Sequence, residues 1–186
     1  MKKQDLDNIH KLKDSEFTNL LHSISFKSKK NKDKESDKLK EKVLKKDIIS
    51  FENNLQKILE LSFSYYDIGT EEKFYHNFIL GIVLSLSDKY YVKSNRESGY
   101  GRYDILLEPR NKKETAFILE FKVVKEEEDL NKVSKEAIEQ IINKKYDIQL
   151  KERGIKDITL VGIAFFKKLL KVNTCGEWPW KCSKIC

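Results

Sequence analysis

Positions 115–124 read TAFILEFKVV, and this stretch limits the possible folds most sharply. Apolar side chains occupy both faces as far as Leu119, the pattern of a central strand covered on two sides. Glu120 and Lys122 then interrupt the run. Side chains two apart on a strand project together, so this carboxylate and ammonium emerge side by side, while Leu119 and Phe121 face the opposite layer. A buried charge without a partner is costly. The pair is therefore either a plain ion pair at the sheet rim or part of a charged site.

Helical periodicity over residues 4–23 (Leu6, Ile9, Leu12, Phe17, Leu20, Leu21) predicts a first helix. Residues 27–38, KSKKNKDKESDK, contain no apolar side chain and read as a flexible linker or exposed loop. From Asp47 the apolar positions Phe51, Leu55, Ile58 and Leu59 again have helical spacing, with Asp47 or Ser50 as N-cap. Thr70 is expected to cap EEKFYHNFILGIVLSL, with Glu71 and Glu72 in a first turn where the macrodipole favours negative charge. Apolar residues surround most of that helix, which predicts extensive burial.

KYYVKSN, RYDILLE and TAFILEFKVV follow as strands, and NKK at 111–113 marks an antiparallel hairpin between the last two. Residues 129–146 read as a helix and DITLVGIAFF as a further buried strand. This order predicts an α/β core, a mixed sheet of about four strands with helices on both faces. The expected organisation is a helical arm and basic linker over 1–46, a folded domain over 47–172, and a tail with cysteines and tryptophans over 173–186.

Hydrophobic residues make up 39% of the 186, enough for a packed core, and 36% are charged. The longest apolar runs fall well short of the roughly 20 residues that cross a bilayer, and residues 1–20 contain no apolar leader segment. The expectation is a cytoplasmic chain with no membrane partner. Net charge is +7, yet positions 27–46 hold ten lysines against four acids, and block 47–166 sums to −3. The basic arm can attract nucleic acid without reading its sequence; the net charge of the core does not. Cys175, Cys182 and Cys186 match no zinc-ligand spacing and read as reduced thiols.

Asp104 raises the value of the Glu120–Lys122 pair. It follows the GYGRY turn at the start of the strand expected to pair with 116–121. Across that hairpin two carboxylates converge beside a lysine, and like charges at close range call for a cation. Magnesium or manganese suits such oxygen ligands, since Mg2+ commonly binds through one or two carboxylates plus substrate phosphate. The ion would polarise a phosphodiester and acidify a water, with Lys122 orienting that water.

Asp104 followed by Glu120-x-Lys122 on successive strands between two helices resembles the PD-(D/E)XK nuclease superfamily. The longer runs EEKFYHNFILGIVLSLSDKYYVKSNRESGYGRYDILLEP, AFILEFKVV and AIEQIINKKY are similar to the branch found in bacterial proteins downstream of an AAA-ATPase-like domain, over roughly residues 50–172. The resemblance implies a restriction-endonuclease-like core acting on nucleic acid, DNA in first place. It implies Asp104 and Glu120 as metal ligands, joined by the Phe121 backbone carbonyl, and Lys122 as the catalytic lysine. It also implies an acid on the first core helix. Glu72 stands there, as site acid or as helix N-terminal charge, and His76 shares its face, as a substrate contact or a buried hydrogen-bonded histidine.

Gln140 matches a polar position that faces the site or lies on plain helix surface. Tyr146, six residues on, joins it only if the helix ends between them. Arg102 contacts substrate phosphate or pairs with Glu97 or Asp104. Gly99 and Gly101, around Tyr100, serve a tight turn or a close approach to phosphate. The chain departs from the family pattern in having no G-x-x-x-x-G-K-[ST] run, so ATP binding is not expected. KEEED at 125–129 would repel DNA unless it points away. Two other readings stay open: a non-catalytic binding or regulatory module, and residues 1–46 as an arm for a protein partner or a second copy.

Overall fold

The computed structural model describes residues 34–64 and 71–176, with side chains from position 48 onward. The expected helix over 4–23, the Thr70 cap, both tryptophans, Cys182 and Cys186 lie outside those residues. The chain divides into two units, 1–55 and 56–186. Helix α1 (Lys34–Ser62) begins well before Asp47. It takes in positions 34–38 of the stretch that reads as a linker by composition, because lysine and glutamate are strong helix formers even without an apolar stripe.

The second unit is built on a five-stranded sheet ordered β1 (Tyr90–Ser94), β4 (Ile105–Pro109), β5 (Ala116–Val123), β6 (Ile158–Phe166) and β7 (Leu169–Gly176). Only β5 and β6 run parallel; the other neighbours are antiparallel. A parallel pair needs a crossover, here α3 (Leu130–Lys144) and the short α4 (Ile148–Glu152). The fold is thus mixed α/β and restriction-endonuclease-like. β7 is a fifth strand beyond the four expected, and it carries the sheet past residue 172 into the expected tail. Cys175 on β7 is half of a disulfide, where a reduced thiol is expected.

Helix α2 (Glu72–Val83) buries the stripe Tyr75, His76, Ile79 and Val83 rather than most of its circumference. Its N-cap is Glu71, with no side-chain cap bond. Tyr75 stacks on Phe165 at 4.3 Å, and His76 meets the edge of Phe121 at 5.9 Å. This places α2 over the face that carries Phe121 and Phe165. The opposite face packs Ala116, Ile118 and Ile158 against Ile141 of α3, together with Tyr146, Leu150 and Ile155. Glu120 pairs in register with Gly162 on that second face.

Gly162 sets how closely α3 approaches. A Cβ there would lie 2.0 Å from the Ser134 carbonyl oxygen and 3.0 Å from Ile138. Backbone cannot yield as a side-chain tip can, so Gly162→Ala is expected to destabilise the fold by about 1–3 kcal/mol. A lowered thermal midpoint checks this; an unchanged one would mean α3 has slack.

Beyond Ser94 and Ile105 the β1–β4 hairpin continues as a narrow finger. Asn95 N–H donates to Asp104 O at 2.9 Å and Tyr103 N–H to Arg96 O at 3.3 Å. The finger ends in the ribbon of β2 (Glu97–Ser98) and β3 (Gly101–Arg102). Gly99, at φ 58°, takes the first of its two turn positions, where a hairpin matching the strand twist favours glycine. Its tip packs on the C-terminus of α3, where a Cβ on Gly99 would fall 2.2 Å from Lys144 O. That close approach to the α3 carbonyls by itself requires glycine.

Candidate active site

The β4–β5 ladder stops at Ile105 and Leu119, which leaves the last part of β5 open along that edge. Asp104 fills the gap: its Oδ2 accepts from Phe121 N–H at 2.8 Å. The N–H and C=O of one strand residue point to the same neighbour, so the Phe121 carbonyl faces that edge too. Asp104 sits just outside β4 rather than within a strand. Strand alternation therefore does not tie Arg102 to its face. Arg102 is exposed on the finger, in register with Glu97.

Glu120 is buried at 3% exposure. Its Oε1 accepts from Lys122 Nζ at 3.2 Å and from the Gln140 side-chain amide. Its Oε2 is buried with no hydrogen-bond partner. Burial pushes its pKa up to about 7, and the Asp104 charge and then Glu72 push the same way against the pull of Lys122. Asp104 is also raised, chiefly by desolvation, with the Phe121 N–H, Lys122 and His76 drawing it back. Glu72, exposed in the first turn of α2, is raised by desolvation and by Asp104 and lowered by Lys122. Three carboxyls and one lysine thus share a single electrostatic neighbourhood.

Helix α3 brings in Gln140, whose amide nitrogen also lies 3.4 Å from the Tyr146 hydroxyl. The helix does end between the two: Lys145 turns left-handed at φ 53°. Tyr146 is 2% exposed and His76 7%, so neither offers an open surface. His76 Nε2 lies 3.1 Å from Ser94 Oγ and 3.3 Å from both the Asn95 amide nitrogen and Asp104 O. Those contacts hold the turn that carries Asp104. Ser94 and Asn95 were not legible as partners in sequence, because only the hairpin extension brings them beside α2.

Among the described residues no group of three His, Cys, Asp or Glu side chains forms a metal cage. The donors fit an ion of the magnesium type, which takes one or two carboxylates and fills the rest with water and substrate oxygens. An orphaned buried carboxylate oxygen beside a second carboxylate is where such a cation would relieve the most unfavourable charge.

Among the described residues no helix is long and apolar enough to cross a membrane. No curated protein matches the chain. The family model of the PD-(D/E)XK nuclease superfamily matches residues 70–175, more than half of the sequence and all of the elements that supply Glu72, Asp104, Glu120, Lys122 and Gln140. The chain belongs to the PD-(D/E)XK nuclease superfamily.

Proposed function

We propose that this chain is a divalent-metal-dependent nuclease that hydrolyses phosphodiester bonds of DNA. The observation that carries the reading is the buried, partnerless Glu120 Oε2 beside the Asp104 carboxyl. Asp104, Glu120 and the Phe121 carbonyl would hold Mg2+ or Mn2+. Bound there, the ion would polarise the scissile phosphate and lower the pKa of an attacking water.

The chain's own residues do the rest. Gln140 and Lys122 hold Glu120 through Oε1, which leaves Oε2 as the oxygen that would meet the ion. Lys122 is partly exposed, so its ammonium can reach from Glu120 toward substrate phosphate. Glu72 lies at the mouth with a raised pKa, suited to take or give a proton. His76 and Tyr146 act as positioning residues for Asp104 and Gln140, and Arg102 is assigned to substrate phosphate. Residues 1–46 are assigned to docking on a protein partner or a second copy. Membership of the branch that follows AAA-ATPase-like domains is part of this proposal, with no ATP requirement assigned to this chain.

Digestion of labelled DNA is expected to require Mg2+ or Mn2+, to stop with chelator, and to resume on re-addition. Asp104→Asn should abolish it at every metal concentration. Cleavage indifferent to chelator would sink the metal-dependent mechanism. Metal-dependent binding without cleavage would favour the non-catalytic reading.

A further inference from the structure

The finger that supplies Asp104 ends in an aromatic ring that the fold holds out into water. Tyr100 is 70% exposed, yet its backbone is clamped. Tyr100 N–H donates to Lys144 O at 2.8 Å, and the Ser98 hydroxyl donates to Tyr146 O at 2.8 Å. On either side of it, Gly99 leaves no room for a Cβ, and Gly101 packs tightly, a Cβ there lying 3.1 Å from the Tyr146 hydroxyl. A ring on fixed backbone loses little conformational freedom when something stacks on it.

Its surroundings are cationic. Lys145 Nζ lies 5.4 Å from the Tyr100 ring centroid. Arg96, Arg102 and Lys144 are exposed nearby on the finger and the α3 terminus. No ion pair among the described residues engages any of the four. Glu97 on the finger is an opposing charge, and Asp147 just beyond α3 is paired with Lys151. Lys145 holds its place at a cost. It adopts φ 53°, ψ 45° at the end of α3, a position where glycine is the ordinary residue. That backbone position places the Lys145 ammonium over the Tyr100 ring.

The finger also stands next to the charged cluster. Gly101 packs on Tyr146, the Tyr146 hydroxyl meets Gln140, and Gln140 binds Glu120. We propose that Tyr100 is a stacking platform for an unpaired base of the substrate strand, with Lys145, Arg96 and Arg102 tracking the adjacent phosphates. The substrate class is then nucleic acid with a single-stranded segment at the cleavage site. Every base offers a π-face, so the contact is indifferent to sequence, and a duplex keeps its bases stacked on one another. The assignment rests on the nuclease reading for its biological sense, but its test does not need cleavage.

Fluorescence anisotropy in chelator measures binding of a labelled single-stranded oligonucleotide and of its duplex. Tyr100→Ala is expected to weaken single-strand affinity about tenfold and duplex affinity by less than about twofold, while Tyr100→Phe restores it. Lys145→Gly should raise the thermal midpoint by a few degrees yet lower single-strand affinity and reduce the salt slope by about one phosphate contact. Undetectable single-strand binding, unchanged affinity in Tyr100→Ala, or equal losses on both oligonucleotides would overturn the platform. If the pattern holds but the wild type never cleaves, the platform stands and the nuclease reading falls. If cleavage is metal-dependent while Tyr100→Ala binds normally, only the platform falls.

Discussion

Lys122→Met is expected to cut phosphodiester hydrolysis by about 10²–10³-fold while the protein stays folded. That is the usual loss when one preorganised donor to the developing charge is removed. Methionine keeps most of the chain's bulk, and the lysine side chain is 29% exposed, so packing should survive. The variant also strips Glu120 of its one ion-pair partner among the described residues. Glu120 should then hold its proton to higher pH, and metal should bind more weakly at neutrality. Single-turnover cleavage at saturating Mn2+ separates the two effects: a weaker ligand set is rescued by metal, a missing ammonium is not. Near-wild-type rates at saturation would remove Lys122 from the chemistry.

Without metal, the protein should lose stability as pH rises from about 4.5 through about 7. Glu120 titrates near 7 in the fold against an ordinary 4.5. A carboxyl raised on folding contributes fully when protonated, below its unfolded value, and that contribution is lost as pH climbs through the folded value. The gap corresponds to roughly 3 kcal/mol as an upper figure. Asp104 and Glu72 are shifted in the same direction and add to the slope. Glu120→Gln keeps an acceptor for Gln140 and Lys122 but cannot ionise. Metal-free Glu120→Gln should therefore melt higher than wild type at pH 8 and no higher at pH 4. It should also lose the rise in melting temperature that Mg2+ or Mn2+ gives the wild type. Parallel melting curves from pH 4 to 8 would contradict the burial of an uncompensated carboxylate.

The central strand and its two charges were readable because burial and period-two geometry leave few alternatives for TAFILEFKVV. Asp104 was readable through the hairpin, although it lies one step outside the strand and reaches β5 by side chain. The β6–β7 turn was hidden by its chemistry. Lys167 takes φ 52° there, where glycine or asparagine would have marked a hairpin. The alternation of Leu170 and Val172 with Lys171 and Asn173 was the available signal for β7. Tyr146 could not be placed from helical spacing, because Lys145 ends α3 without any residue that normally does so. A buried, hydrogen-bonded His76 was one of the two readings its place on α2 allowed, and its partners Ser94, Asn95 and Asp104 O come from the hairpin extension.

The seat of α3 on Gly162 has a consequence for how this molecule could change over generations. The distance between α3 and the sheet depends on an atom that is missing. Any larger residue at 162 must lift the helix, and Gln140 lifts with it, loosening its grip on Glu120. A substitution made there would reach the charged cluster through the helix, without replacing any of its side chains.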